Sequence, residues 1–262
     1  MTHSTDSTDT SVASPSRRRA LSALCACTGG VAAAPFLGTG AVKMLAAGAT
    51  LAAAAPLAMA AELKTALTPD QALERLKTGN RLFLSDRLPP ESNRRDRRLA
   101  IAKSQAPFAV LVSCSDSRVP PEALFGRGLG DLFIIRVAGN SISQEGLGSI
   151  EYAVAELGVP LVVVMGHERC GAVSAALSVV KDNTIFPGAI GDMVQPILPA
   201  AISSRSKPGD WLDNAVRQHV VNVVEKLKIS GKLIEDPLAV GKLKVVGARY
   251  DLDDGKVDFF HT

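Results

Sequence analysis

Apolar residues gather into four short runs that show no polar alternation: 108–113, 131–137, 161–165 and 244–248. Strands covered on both faces read this way, and helical patterns lie between the runs, so a parallel sheet is expected. Thr68-Pro69-Asp70-Gln71 is a helix start, with an N-cap, a proline at the first helical position and a glutamine at the third. Leu73, Leu76, Leu82 and Phe83 continue its apolar stripe, with a break expected near Gly79. Residues 91–104 read as a charged helix ending before Pro107, which makes 61–106 a helical arm able to lie on a neighbouring subunit. Further helices are expected at 144–157, at 169–180 directly after the third run, and at 211–229. Pro120-Pro121-Glu122 opens a short one, with Glu122 structural rather than a ligand. Asp253-Asp254-Gly255 is a hairpin turn into an antiparallel edge strand at 256–260. The Pro-rich stretch 182–208 gives no element order. The pattern defines an α/β fold: a mostly parallel central sheet with an antiparallel edge strand, flanked by helices and preceded by a helical arm.

The first sixty residues follow a different pattern. Residues 1–16 are rich in Ser, Thr and Asp and lack the apolar content for a core. Arg17-Arg18-Arg19 then precedes a charge-free stretch, 20–42, and a second Ala-rich stretch ends in Ala58-Met59-Ala60-Ala61. A basic start, an apolar middle and a small-x-small end make an export signal, and the arginine pair before a Gly/Ala-rich run resembles the twin-arginine type. Residues 1–60 are therefore expected to be a leader, cleaved after Ala60, with 61–262 as the folded domain. The expected location is the periplasm, reached through transient contact with the export machinery. An uncleaved membrane anchor is the alternative, since 20–42 is long enough to span a bilayer.

Composition narrows the picture. The chain has 262 residues, 47% of them hydrophobic and only 4% aromatic, so the core is aliphatic. Residues 1–60 carry four of the 29 basic and two of the 26 acidic residues, which leaves the rest at 25 against 24. A near-neutral domain offers no basic face for nucleic acid.

Candidate chemistry falls in two short stretches, each after an apolar run: Cys114-Ser115-Asp116-Ser117-Arg118 and His167-Glu168-Arg169-Cys170. In open α/β sheets, sites form at the carboxyl ends of strands, so neighbouring first and third strands would bring Cys114 and His167 together. Two Cys and one His suit Zn²⁺, and three ligands leave a fourth position for chemistry. Asp116 projects to the same side as Cys114, and Arg118 would keep it ionised and oriented. Asp116 also qualifies as a fourth ligand. A Cys114–Cys170 disulfide, a dithiol redox pair and a non-catalytic zinc domain are the competing readings. Glu168 and Arg169 read as solvated or capping, Arg136 as a buried structural arginine, and His219 as a lone histidine without a catalytic role.

Cys-x-Asp-x-Arg after one strand and His-x-x-Cys after a later one resemble the β-class carbonic anhydrases. The surrounding text agrees in FIIRVAGN (133–140), SIEYAV (149–154) and GHERCGAV (166–173). The resemblance covers roughly 68–260. It implies one Zn²⁺ per subunit on Cys114, His167 and Cys170, with Asp116 and Arg118 as the catalytic pair. It further implies reversible hydration of CO₂ to bicarbonate and a proton by zinc hydroxide attack. Gln105 would help hold substrate across a dimer interface. Phe133, Ala138 and Tyr152 would form an apolar wall, and the backbone of Gly171 would lie beside the substrate. The expected assembly is a homodimer or a higher assembly of dimers. Carbonyl sulfide or carbon disulfide hydrolysis on the same site is the nearest alternative activity.

Overall fold

Uninterrupted apolar strands need cover on both faces, and the sheet has it. The structure, a computed structural model, describes residues 64–87 and 94–260. The leader, its signal and its cleavage site lie outside the described residues. Five strands, β1 (Ala109–Ser113), β2 (Leu132–Arg136), β3 (Leu161–His167), β4 (Lys244–Tyr250) and β5 (Val257–Phe260), lie in the order β2-β1-β3-β4-β5. All neighbours are parallel except β4 and β5. This is the expected mostly parallel sheet with an antiparallel edge.

Side chains alternate between two cores, and each is apolar, which is why the strands show no polar period. On one face Leu111, Val163, Met165 and Val246 pack with Leu73 and Leu76 of α1 (Pro69–Leu84), and with Leu124 and Phe125 at the end of α3 (Pro121–Leu124). On the other, Val110, Val112, Val162, Val164 and Val245 meet α4 (Gln144–Ala155), α8 (Trp211–Lys228) and Ile234 of α9 (Lys232–Ala239). A third cluster sits beyond the carboxyl ends of the strands. It joins Cys114 and Cys170 to α5 (Gly171–Asp182), α6 (Ala189–Val194), α7 (Leu198–Ser204) and the start of α8.

α1 begins as expected: the Thr68 hydroxyl accepts from Gln71 N–H while the Gln71 side chain accepts from Thr68 N–H. It does not break at Gly79. The glycine is there because a Cβ would stand 1.9 Å from the carbonyl oxygen of Phe125, so helix and loop touch backbone to backbone. One turn face further, buried Asn80 donates to the carbonyls of Leu124 and Gly255 and accepts from Val257 N–H. These bonds tie α1 to the β4–β5 hairpin of its own subunit. The charged helix is shorter than expected, α2 (Arg95–Ile101), and buries none of its residues.

Two boundaries near the chemistry also differ. β3 runs on to His167, which pairs with Tyr250, so the histidine ends the strand instead of following it. Cys170 is the N-cap of α5 and not part of its first turn. The stretch 182–208 holds two short helices and a 3-10 turn, packed on α5 and α8.

Candidate metal centre

Both metal-binding stretches begin where a parallel strand ends, and β1 pairs directly with β3. That adjacency brings Cys114 Sγ, His167 and Cys170 Sγ together, with ligand atoms all within 4.8 Å of one another. All three side chains are buried. The two sulfurs lie 4.0 Å apart and are free thiols, which excludes the disulfide. Two sulfurs at about 2.3 Å from a tetrahedral zinc would be about 3.8 Å apart, close to the observed separation.

The histidine is set for a metal. His167 Nδ1 lies 2.9 Å from the carbonyl oxygen of Glu168, which can only accept, so Nδ1 carries the proton. Nε2 is then a bare lone pair, fully buried, with no hydrogen-bond partner among the described residues. A buried imidazole nitrogen without a partner, facing two thiols, is the arrangement a metal ligand needs. The soft donor set and the count of three fit zinc with one open position. The site holds one zinc per subunit.

Within the chain, the sulfurs divide their roles. The Cys114 thiol is pulled down to about 4, first by its hydrogen bond with Cys170 and then by contacts from His167 and the N–H groups of Gly139 and Asp116. Gly139 N–H donates to Cys114 Sγ at 3.3 Å from a turn in which the glycine adopts φ +74°. Cys170 is pushed up by the neighbouring Cys114 sulfur and by burial.

Beside the cluster lies a carboxylate–guanidinium pair. Arg118 Nε and Nη2 donate to the two oxygens of Asp116 at 2.9 and 2.8 Å, and Arg118 N–H adds a third bond at 3.0 Å. Arg118 holds the Asp116 carboxyl well below the usual carboxylate range. Asp116 Oδ2 stands 3.9 Å from His167 Nε2, at the rim of the metal position.

Two residues read from sequence as solvated or capping are structural parts of this centre. Glu168 N–H donates to the Tyr250 carbonyl, and Glu168 Oε2 accepts from Leu252 N–H. Arg169 has a left-handed backbone, φ +51°, and its guanidinium forms a fork on Asp253 at 2.9 and 2.6 Å. Through these bonds the β4–β5 hairpin holds the His-x-x-Cys segment. The charge alternation of Glu168, Arg169, Asp251 and Asp253 was the sequence signal, but it needs the hairpin's position to be read.

Other expected site residues lie elsewhere. Gln105 is exposed before the amino end of β1, the end opposite the metal. Phe133 pairs with Val110, three positions below the Ser113–Arg136 pair that ends the strands, or about 10 Å along the sheet. Tyr152 is half exposed on α4. Gly171 does adjoin the site, but a Cβ there would meet nothing within 4 Å among the described residues, so close packing does not explain it. Arg136 is exposed, not buried, because β2 is the sheet edge.

A parallel sheet that gathers two thiols and an imidazole at its carboxyl end, with an arginine-held carboxylate beside them, defines a zinc enzyme of the α/β class. The carbonic anhydrase family model matches residues 109–257. Carbonic anhydrase 2 of Mycobacterium tuberculosis (strain ATCC 25618 / H37Rv) is 42% identical over 188 residues, 72% of this chain and 91% of that protein. The carbonic anhydrase of Mycolicibacterium smegmatis is 40% identical over 190 residues, 72% of this chain and 92% of that one. Among solved structures, a tetrameric β-carbonic anhydrase of Sordaria macrospora superposes with a TM-score of 0.57 at 25% identity, over 63% of this chain and 85% of that one. The β-carbonic anhydrase CafA of Aspergillus fumigatus gives 0.56 at 27%, over 63% and 80%. The chain belongs to the β-class carbonic anhydrase family. It is a zinc-dependent enzyme that hydrates carbon dioxide reversibly to bicarbonate and a proton.

Proposed function

We propose that Asp116 and Arg118 are the catalytic pair of this hydration and that each site is completed by a second copy of the chain. The observation behind the first part is the position of Asp116: ionised, held on two oxygens by Arg118, and 3.9 Å from the metal-facing nitrogen of His167. When bound by Cys114, His167 and Cys170, zinc supplies an activated water near neutral pH. Asp116 accepts a hydrogen bond from the group at the open position and orients it. Because Arg118 keeps the carboxyl ionised, Asp116 acts as an acceptor and not as a donor. The two thiolates lower the charge available at the centre, so activity rises toward alkaline pH. Asp116→Ala should keep one zinc per chain and lose at least about a hundredfold in CO₂ hydration rate; full activity in that variant would remove the residue from the mechanism.

The second part follows from where the substrate wall lies. Gln105, before the amino end of β1, and Phe133, about 10 Å back along β2, sit too far from their own metal centre to line it, and Tyr152 is half exposed on α4. Phe133 lies on β2, an apolar edge strand that among the described residues pairs only with β1, the kind of edge that seeks another chain. α4 carries Gly148 on the same exposed side, with open space around it. A glycine inside a helix costs about 1 kcal/mol, and no close packing among the described residues offsets it. A second copy seated there would bring Gln105, Phe133 and Tyr152 to the neighbouring site, beside the open space at Gly171. The assembly is then a homodimer or an assembly of dimers. Mixing Asp116→Ala and Gln105→Ala subunits should regenerate activity above that of either alone, since one site in the mixed dimer is intact. No regain in a mixture shown to exchange subunits would place Gln105 outside the partner's site.

The leader completes the reading: residues 1–60 serve as a twin-arginine export signal, and 61–262 form the catalytic domain in the periplasm. Among the described residues no helix is long and apolar enough to cross a membrane. Fractionation with N-terminal sequencing should find the enzyme outside the cytoplasm, beginning at Ala61.

A further inference from the structure

Arg136 ends β2 opposite Ser113, the last residue of β1. Its side chain turns across the end of β1. Nε donates to the carbonyl of Cys114 at 2.9 Å, and Nη2 donates to the carbonyl of Asp116 at 2.6 Å. These carbonyls bracket Ser115, so one planar guanidinium spans the segment that carries both the first thiolate and the carboxylate. The sheet offers no such support there. Its last bond across this edge runs from Val137 N–H to the Ser113 carbonyl, one residue short of Cys114. Past that point the Asp116 carbonyl also accepts from Val119 N–H, within the same turn. Both bonds of Arg136 go to neutral main-chain oxygens, which no ion pair would require. A charged donor strengthens each of them, and the fixed fork sets their spacing.

We propose that Arg136 is a positioning residue of the metal centre, holding the Cys114–Asp116 main chain so that the sulfur and the carboxylate face one metal position. The inference rests on the roles given above to Cys114 and Asp116. Its consequence is geometric. Asp116 Oδ2 already lies 3.9 Å from His167 Nε2, so a slackening of this segment by about an ångström takes the carboxylate out of reach and loosens one of three ligands. Within one subunit Arg136 packs into none of the hydrophobic cores, being an exposed residue at the end of an edge strand.

The test uses the full-length zinc protein with Arg136→Ala and Arg136→Lys. Zinc release to a chromogenic chelator, kcat and KM for CO₂ hydration, and the melting temperature are read on each. Arg136→Ala should fold, melt within a few degrees of the parent and bind one zinc. It should release the metal about tenfold faster and lose about tenfold in kcat with KM little changed, as expected for charge-assisted bonds lost from a catalytic segment. Millimolar guanidinium ion should restore part of kcat in this variant. Arg136→Lys should recover little, because a point charge does not span two carbonyls. Parental zinc release and kcat in Arg136→Ala would overturn the proposal, as would full recovery by lysine. If the parent protein itself binds no zinc, the site reading fails first and the proposal falls with it. If the parent is an active zinc enzyme and Arg136→Ala matches it, only the positioning role is lost.

Discussion

Lowering the pH from 7 to 5 should remove about 2 kcal/mol of stability through a single side chain, His219. The imidazole is buried in α8, where its Nε2 lies 3.0 Å from the Ser141 hydroxyl. Burial pulls it down to about 4 in the folded chain, with a smaller opposing effect from Gly139. In the unfolded chain it titrates near 6.5. The unfolded state therefore takes up the proton first. His219 contributes full stability above about pH 6.5, and that contribution drains away as the pH falls toward 4. With those two values the loss between pH 7 and pH 5 is about 2 kcal/mol, and below pH 4 it levels off at on the order of 3 kcal/mol. Acid also acts on the thiolates, so the assay must isolate the histidine. Urea unfolding of the metal-free, reduced protein at both pH values, for the parent and for His219→Gln, does so by difference. Glutamine keeps a polar partner for Ser141 but does not titrate, and the parent should lose about 2 kcal/mol more than the variant. Equal losses in the two proteins would show that His219 is not buried neutral, and the packing of α8 against the 139–141 turn would have to be redrawn.

Further outcomes follow from other contacts. Gly79→Ala should destabilise the fold by about 2 kcal/mol in urea unfolding, because the new methyl meets the Phe125 carbonyl; an unchanged midpoint would mean that α1 does not touch that loop. Asp253→Ala removes the fork on Arg169, which is exposed at both ends, so zinc should leave about threefold faster at low salt and at the parental rate in 1 M salt. A salt-independent change would assign Asp253 some role other than ion pairing.

Much of this architecture was legible because its signals are local. Uninterrupted apolar runs marked strands covered on both faces, and the placement of Cys114 and His167 after two of them was enough to expect a shared site once those strands are neighbours. The misreadings involve contacts between distant parts of the chain. Gly79 resembles a helix break until the Phe125 carbonyl is seen behind it. Glu168 and Arg169 look solvated until the β4–β5 hairpin arrives eighty residues later in the chain to bind them. α9 is an eight-residue helix with Pro237 inside it, and the 182–208 helices are shorter still, too brief for a periodic pattern to stand out. Gln105, Phe133 and Tyr152 were flagged only by resemblance, since nothing in their spacing points to a site that a second copy would supply.

The central claim is tested most directly by stopped-flow CO₂ hydration on the full-length protein as metal is removed and returned. The account predicts that a chelator abolishes catalysis and that activity returns in proportion to zinc, saturating at one ion per chain. Undiminished hydration in metal-free protein, or none with one zinc bound per chain, would contradict it.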